Sequence, residues 1–329
     1  MKTVTIGVDI SKDWLDYSGC PVTSKVADDS VRVDNTIQGI ESLIKDVAAR
    51  FKDHQIWFCF EHTGSYGLLL SSLLQNNNLT FTAVSAMQIK KSQGVVRGKS
   101  DAVDARRIAS YAAVHFHELK PSEMPSEALL RIKSLLAYRQ QLTKIKSQLI
   151  NSMKAYDVQG KVFDVKFIQQ DVRQKIDQLQ ADIQNLDKQI EQIIGQDQDL
   201  DDNFKLVKSV KGIGPVIAAY LMVHSNNFTA FDDPRKFNCF AGIARFEHSS
   251  GKQIGRAKTP NYKHRQLKTL LFNGASSAAM YDPQIKKYYQ RKKKEGKHNL
   301  SVLNAIACKL IYRAFATVKR RTPYVIFAQ

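Results

Sequence analysis

An α/β domain followed by a mainly helical remainder is the architecture this sequence predicts, and three observations carry it. The first ~115 residues switch between period-two and period-3.6 apolar patterns. Between Val172 and Ile193 apolar residues recur at alternating spacings of 4 and 3. The last third is strongly basic, with apolar helical stretches between its charges.

Val4, Ile6 and Val8 of TVTIGVDI alternate as a half-buried strand does. WLDYSG and SVRVDN read as two further short strands, the first close enough to pair as a hairpin. In TIQGIESLIKDVAARF, Ile37, Ile40, Leu43, Ile44 and Val47 fall at helical spacing. QIWFCFE is a fourth, buried strand, YGLLLSSLLQNN a helix and LTFTAVS a fifth strand. The last helix runs from Asp101 to about His115, with Ser100 placed to cap it. The order β-β-β-α-β-α-β-α is that of the RNase H-like fold. In that fold the first and fourth strands are neighbours and the last helix packs over them.

GVVRGKSDAVDARRIASY sets two aspartates three apart among basic residues. On a helix, that spacing places Asp101 and Asp104 on one face. Their plain role is to favour the positive end of the helix dipole. Asp9 in the first strand and Glu61 ending the fourth give them partners. Taken singly, each is an ordinary solvated carboxylate. Together the four converge at one sheet edge, as a hard divalent cation requires.

KPSEMPSE, residues 120 to 127, is a linker bounded by prolines. It divides an α/β domain, residues 1–120, from a coiled-coil segment, residues 121–203, and a basic domain, residues 204–329. In the coiled-coil segment Val172, Ile176, Leu179, Ile183, Leu186, Ile190 and Ile193 form a heptad seam, echoed by Leu135, Leu142 and Leu149. YDVQGKV interrupts the helix and the acidic stretch GQDQDLDD ends it. The pattern suits a hairpin or pairing with a second chain, and favours a contribution to a dimer.

From Phe204 onward there are 24 Lys and Arg against 5 Asp and Glu, so this third holds all of the net +18. A basic block of that kind is the electrostatic footprint of a nucleic-acid binder. No run approaches the ~20 apolar residues needed to span a bilayer, and MKTVTIGVDISKD alternates like a strand instead of reading as a signal peptide. No membrane partner is expected, and the cytoplasm is the expected compartment. Cys20, Cys59, Cys239 and Cys308 are scattered, which suggests neither zinc nor disulfides.

Gly212-Ile213-Gly214-Pro215 lies between two apolar stretches, as in a helix-hairpin-helix that offers backbone N–H groups to a phosphate. Lys205, Lys208 and Lys211 surround it. Ser250 precedes Gly251 in a polar turn near Lys252, Arg256 and Lys258, where a hydroxyl could meet a phosphodiester. His248 is a candidate proton acceptor, although no Ser-His-Asp order stands out. KKYYQRKKKEGKHN adds Arg291, Lys292, Lys293 and Lys294 for phosphate neutralisation, with Tyr288 and Tyr289 for base stacking.

With these residues assembled, the chain resembles the "IS one-ten" family of insertion-sequence transposases, which join an N-terminal D-E-D-D domain to a C-terminal serine domain. The resemblance rests on Gly7-Val8-Asp9-Ile10-Ser11-Lys12, Glu61-His62-Thr63-Gly64-Ser65-Tyr66, Lys99-Ser100-Asp101-Ala102-Val103-Asp104-Ala105, Gly212-Ile213-Gly214-Pro215 and Ser250-Gly251 in the family's order. It implies a RuvC-like first domain in which Asp9, Glu61, Asp101 and Asp104 bind Mg²⁺. It also implies that Ser250 attacks DNA to form a phosphoserine, and that acids and serine meet between protomers of a dimer or tetramer. A non-coding bridge RNA would select donor and target DNA by base pairing. The chain departs from the family at Arg245, where proline is common, and in TPNYKHRQLK. The doublet Ser249-Ser250 leaves the nucleophile open by one residue, with Ser250 preferred beside Gly251. A RuvC-like structure-selective nuclease and a non-catalytic nucleic-acid scaffold are the alternative readings.

Overall fold

Strand pairing joins five segments of the first unit, Met1–Met124, into one mixed sheet. The computed structural model describes residues 2–62, 64–92, 101–244, 246–250, 253–258 and 264–325, with backbone alone at 91, 102, 246–250 and 253–258. The strands are β1 (Lys2–Ile10), β2 (Trp14–Pro21), β3 (Val31–Asp34), β4 (His54–Glu61) and β5 (Thr80–Val84), in the spatial order β3-β2-β1-β4-β5. β1, β2 and β3 form an antiparallel meander, and β4 and β5 extend it in parallel from β1. The first and fourth strands are therefore neighbours, as the sequence predicts.

Helix α1 (Ile37–Arg50) starts where the Thr36 hydroxyl accepts the Gly39 N–H at 3.2 Å. It buries Ile40, Leu43 and Val47 against the sheet and leaves Ile37 exposed. Helix α2 (Leu68–Asn76) packs Leu70 and Leu74 into the same core. A short helix that the sequence pattern does not announce, α3 (Ala86–Ser92), follows β5. Its seven residues bury Ile89, too little for a periodic signal. Ser100, the expected cap of the last helix, lies outside the described residues, and α4 covers Asp101–Val114.

Small residues bring α4 down onto β1. A Cβ on Gly7 would stand 2.1 Å from the Ala109 nitrogen and 2.5 Å from the Ala105 carbonyl oxygen, so only glycine permits this approach. Ala105, Ala109, Ala112 and Ala113 are buried along the helix. The buried Thr5 hydroxyl, 2.9 Å from the Ala109 carbonyl oxygen and 3.0 Å from that of Cys20, ties α4 to β1 and β2. The linker then runs along β5, where the Ser122 N–H donates to the Phe81 carbonyl at 2.7 Å.

In the second unit, Pro125–Gln329, α5 (Glu127–Gln159) and α6 (Lys166–Gly195) lie antiparallel. Arg139 pairs with Asp187 at 2.6 Å, Lys146 donates to Gln180 at 2.6 Å, and Leu142 packs with Ile183 and Leu186. The heptad halves thus pack on each other within one chain. The acidic stretch expected to end the coiled coil also begins the next helix. Asp197 accepts the Leu200 N–H at the start of α7 (Gln198–Lys208), and Asp199 and Asp201 occupy its first turn.

The remaining elements are α8 (Pro215–His224), α9 (Pro234–Phe240), the hairpin of β6 (Phe246–Ser250) and β7 (Gln253–Lys258), α10 (Arg265–Tyr281), α11 (Pro283–Lys294) and α12 (Asn299–Arg320). One core joins Leu129, Ile132 and Leu136 of α5 and Ile190, Ile193 and Ile194 of α6 to α7, α8, α10 and α12. The expected boundary near residue 203 therefore falls inside a shared core. Helix α12 is long and apolar enough to cross a membrane, yet it buries Val302, Ile306, Leu310 and Ile311 in this core. All four cysteines are free, with Cys20 and Cys59 buried.

Candidate functional site

The parallel pairing of β1 with β4 matches Val8 to Phe60, so the next residues, Asp9 and Glu61, emerge at the same end of the sheet. On the other side of β1, Asp16 of β2 is the direct partner of Asp9. The contact through Gly7 brings α4 over β1, with Asp101 and Asp104 in its first turn. Sheet register and one close helix approach thus gather the carboxylates predicted from sequence, and add Asp16.

Asp9 records their proximity. Its carboxyl is half-buried, and its pKa is pushed from the ordinary aspartate range up to about 6. Burial is the largest cause, followed by the charges of Asp104, Asp101, Glu61 and Asp16, all acting in the same direction. Among the described residues, however, no three His, Cys, Asp or Glu side chains are close enough to grip one ion. These findings are compatible because charges interact over roughly 8–10 Å, whereas ligand oxygens must lie about 2.0–2.6 Å from a divalent ion.

Two arginines hold the α4 aspartates. Asp104 accepts from Arg107 at 2.8 Å. Asp101 accepts from Arg32 at 3.3 Å and from the Trp14 indole N–H at 3.4 Å. Sequence reasoning missed Asp16, Arg32 and Trp14. The available signal was a charge at Asp16 between the inward Leu15 and Tyr17 of a strand, which calls for a partner once buried.

In the second unit Ser250 is the last residue of β6, paired in register with Gln253, and His248 with Gly255. The side chains of Ser249, Ser250, His248, Arg256 and Lys258 lie outside the described residues, as do Gly251 and Lys252. Between α7 and α8, Gly212 has φ +96° and packs so tightly on α10 that a Cβ would stand 2.6 Å from the Gly274 carbonyl oxygen. Gly214 faces open space beside the exposed Lys211. Of the two glycines, Gly212 serves packing and Gly214 leaves its backbone accessible.

Arg291, Lys292, Lys293 and Lys294 form the last turn of α11. Tyr288 and Tyr289 pack against the core; cations of Arg291 and Lys309 lie 5.6 and 4.9 Å from the Tyr288 ring, and the Tyr289 hydroxyl donates to Asn299 at 2.8 Å. Both rings are thus engaged within the chain, while the cations crowd the surface of the helix end.

Comparison with known proteins decides the family. Residues 6–159 match the DEDD transposase family model of IS110, described as "Transposase", and residues 204–290 match "Transposase IS116/IS110/IS902 family". The chain belongs to the IS110 family of transposases. Its relatives include the "Pilin gene-inverting protein" of Moraxella lacunata, 25% identical over 98% of each chain. The protein of the same name from Moraxella bovis is 24% identical over 98% of each chain. The "Insertion element IS116 uncharacterized 44.8 kDa protein" of Streptomyces clavuligerus is 22% identical over 92% of each. A solved structure, "T. thermophilus RuvC in complex with Holliday junction substrate", is 14% identical, with a TM-score of 0.28, over 37% of this chain and 99% of that one. At that score the likeness carries no argument. The five-stranded sheet and the IS110 family models stand on their own.

Proposed function

We propose that this IS110-family chain is a DNA recombinase that moves an insertion sequence by cutting and rejoining DNA through Ser250, with Mg²⁺ held by Asp9, Glu61, Asp101 and Asp104. The observation that carries the reading is the carboxylate cluster around Asp9 on an RNase H-like sheet order, whose mutual repulsion a divalent cation would relieve. The chemistry of the donor set suits the ion, being all oxygen and anionic as a hard cation prefers, and the carboxylates would draw together to ligate it. When bound, the ion supplies Lewis-acid polarisation of the phosphate and charge stabilisation.

The Ser250 hydroxyl gives up its proton and its Oγ bonds to phosphorus while one phosphorus–oxygen bond of the DNA breaks. The departing DNA oxygen takes a proton. Rejoining reverses the exchange: a DNA hydroxyl attacks the phosphoserine and releases Ser250. One phosphoester is traded for another, so no ATP is required.

Lys211, Gly214, Lys252, Arg256, Lys258 and the Arg291–Lys294 turn would grip donor and target DNA along the backbone, with Gly212 shaping the turn that presents Gly214. The excess charge of the last third also suits a guide RNA recognised by shape, with base pairing left to choose the sequence. The reading places the chain in the cytoplasm. It requires the acids and the serine to meet at one phosphodiester between protomers of a dimer or tetramer.

The test is a search for a covalent protein–DNA adduct in cells carrying the native flanking DNA, by denaturing gel and peptide mass spectrometry. A DNA-linked peptide modified at Ser250 is expected, and modification at Ser249 would move the nucleophile by one residue. Metal-dependent cleavage with hydrolysed ends and no adduct would instead make the chain a RuvC-like nuclease.

A further inference from the structure

We infer that Arg32 is a built-in competing cation of the acidic site: it holds Asp101 until a divalent metal takes that carboxylate, and so sets the metal concentration at which the site loads. The inference rests on the proposed role of Asp101 as a metal ligand.

Arg32 is anchored from one side. Its Nε lies 3.2 and 3.1 Å from the two carboxylate oxygens of Asp16, and its Nη2 donates to Asp16 Oδ2 at 2.8 Å. The Asp16 side chain is 5% exposed, so it depends on this paired, forked contact. The guanidinium also lies over the Trp14 ring, 4.9 Å from its centroid. Asp16 stands opposite Asp9 in the β1–β2 pairing, which fixes the anchor beside the acidic cluster.

The other side of Arg32 meets the candidate ligand. Nη2 donates to Asp101 Oδ2 at 3.3 Å, and Trp14 Nε1 reaches the same oxygen at 3.4 Å. An ion that takes Oδ2 competes with both donors for the lone pairs of that oxygen, and at either oxygen the adjacent guanidinium charge opposes a second cation. The pair is open to solvent, with Arg32 50% and Asp101 47% exposed, so it can be exchanged. After exchange the guanidinium remains on Asp16 and Trp14. Arg107 meets Asp104 from the same helix, three residues along, whereas Arg32 reaches Asp101 from β3 while seated on a buried carboxylate of β2.

Trp14 supplies the readout. The chain has two tryptophans, and Trp57 donates instead to Thr82 at 2.9 Å within the sheet. In full-length Trp57→Phe protein, MgCl₂ is titrated at constant ionic strength, followed by Trp14 emission and by calorimetry, without DNA. Asp104→Asn is the control for the acidic site.

Arg32→Gln alone would strand the buried Asp16, so the decisive variant is Asp16→Asn/Arg32→Gln, which leaves the net charge unchanged. The expected result is a saturable change in Trp14 emission, lost in Asp104→Asn, whose midpoint falls about threefold to tenfold in the double variant. Arg32→Lys, without the fork that spans both carboxylates, is expected to fall between them. Equal midpoints within about twofold, weaker binding in the double variant, or calorimetric binding that leaves Trp14 emission unmoved would overturn the inference and leave the metal site standing. If the parent protein binds no Mg²⁺ in an Asp104-dependent way, the inference falls together with the proposed metal role.

Discussion

The acidic cluster of the first unit and the basic helix turn of the second stand on differently built supports. The acids of the first stand on adjacent strands and on a helix locked to β1 by backbone contact at Gly7. The cations of the second crowd the exposed last turn of α11, with only part of that turn tied to Glu295. A constellation that must meet reacting atoms needs position fixed to a fraction of an ångström. Contacts to a phosphate backbone tolerate more, because they act largely through charge. The comparison teaches that the precise part of this molecule is its sheet and the adaptable part is its helix ends.

The largest effect that could break this contrast is on strand exchange. Asp104→Asn and Ser250→Ala are each expected to lower recombination on the order of 10³-fold or more, with the melting curve retained. An active Ser249→Ala/Ser250→Ala protein would remove the serine from the chemistry.

Gly7→Ala tests the rigid side directly. Its Cβ has no space against α4, so a loss of about 3 kcal/mol in a denaturant melt is expected. Gly214→Ala, which meets no atom within 4 Å, is expected to change stability by less than about 0.5 kcal/mol. A tolerated Gly7→Ala would mean that α4 can lift without harm.

On the adaptable side, replacing Arg291, Lys292, Lys293 and Lys294 with Gln should weaken DNA binding for all sequences alike. The slope of log affinity against log salt should become shallower by up to about 0.9 for each phosphate that is no longer neutralised. A sequence-dependent loss would show that the turn reads bases.

The smallest effect is a pH dependence. The folded-state pKa of Asp9 is raised to about 6, above the ordinary unfolded value of about 3.9, so the folded chain binds the extra proton between them. That contribution favours the folded state at low pH and is lost as pH rises through about 6. Asp9→Asn should therefore gain melting temperature relative to wild type between pH 4 and 6 and keep the gain above. A difference that is flat with pH would show that Asp9 is not crowded by its neighbours.

Much of the sheet was legible because period-two alternation in β1 and the buried run of β4 report local burial. The acids could be placed from the fold order, since register alone brings Asp9 and Glu61 to one end. Arg32 was illegible for the converse reason. A lone arginine in a short, largely exposed strand gives no pattern, and its meaning comes from Asp16, across a strand pair, and from Asp101, 69 residues away. The heptads of α5 and α6 likewise announced a seam without naming the partner, which Arg139–Asp187 identifies as the same chain. The acidic stretch before α7 is ambiguous in sequence because carboxylates that end one helix and those that begin another look alike until the cap at Asp197 is seen.

The α5–α6 hairpin has a mechanical consequence. Leu136 is the last α5 residue in the main core, and α5 continues to Gln159, about 35 Å farther at roughly 1.5 Å per residue. At that far end Val158, Val162, Phe163 and Phe167 are exposed. The hairpin is thus a lever whose reach spans about ten base pairs of duplex at 3.4 Å each. A tilt of about 5° at its root would carry the tip by roughly 3 Å, so small adjustments among core side chains become displacements the size of a base-pair step.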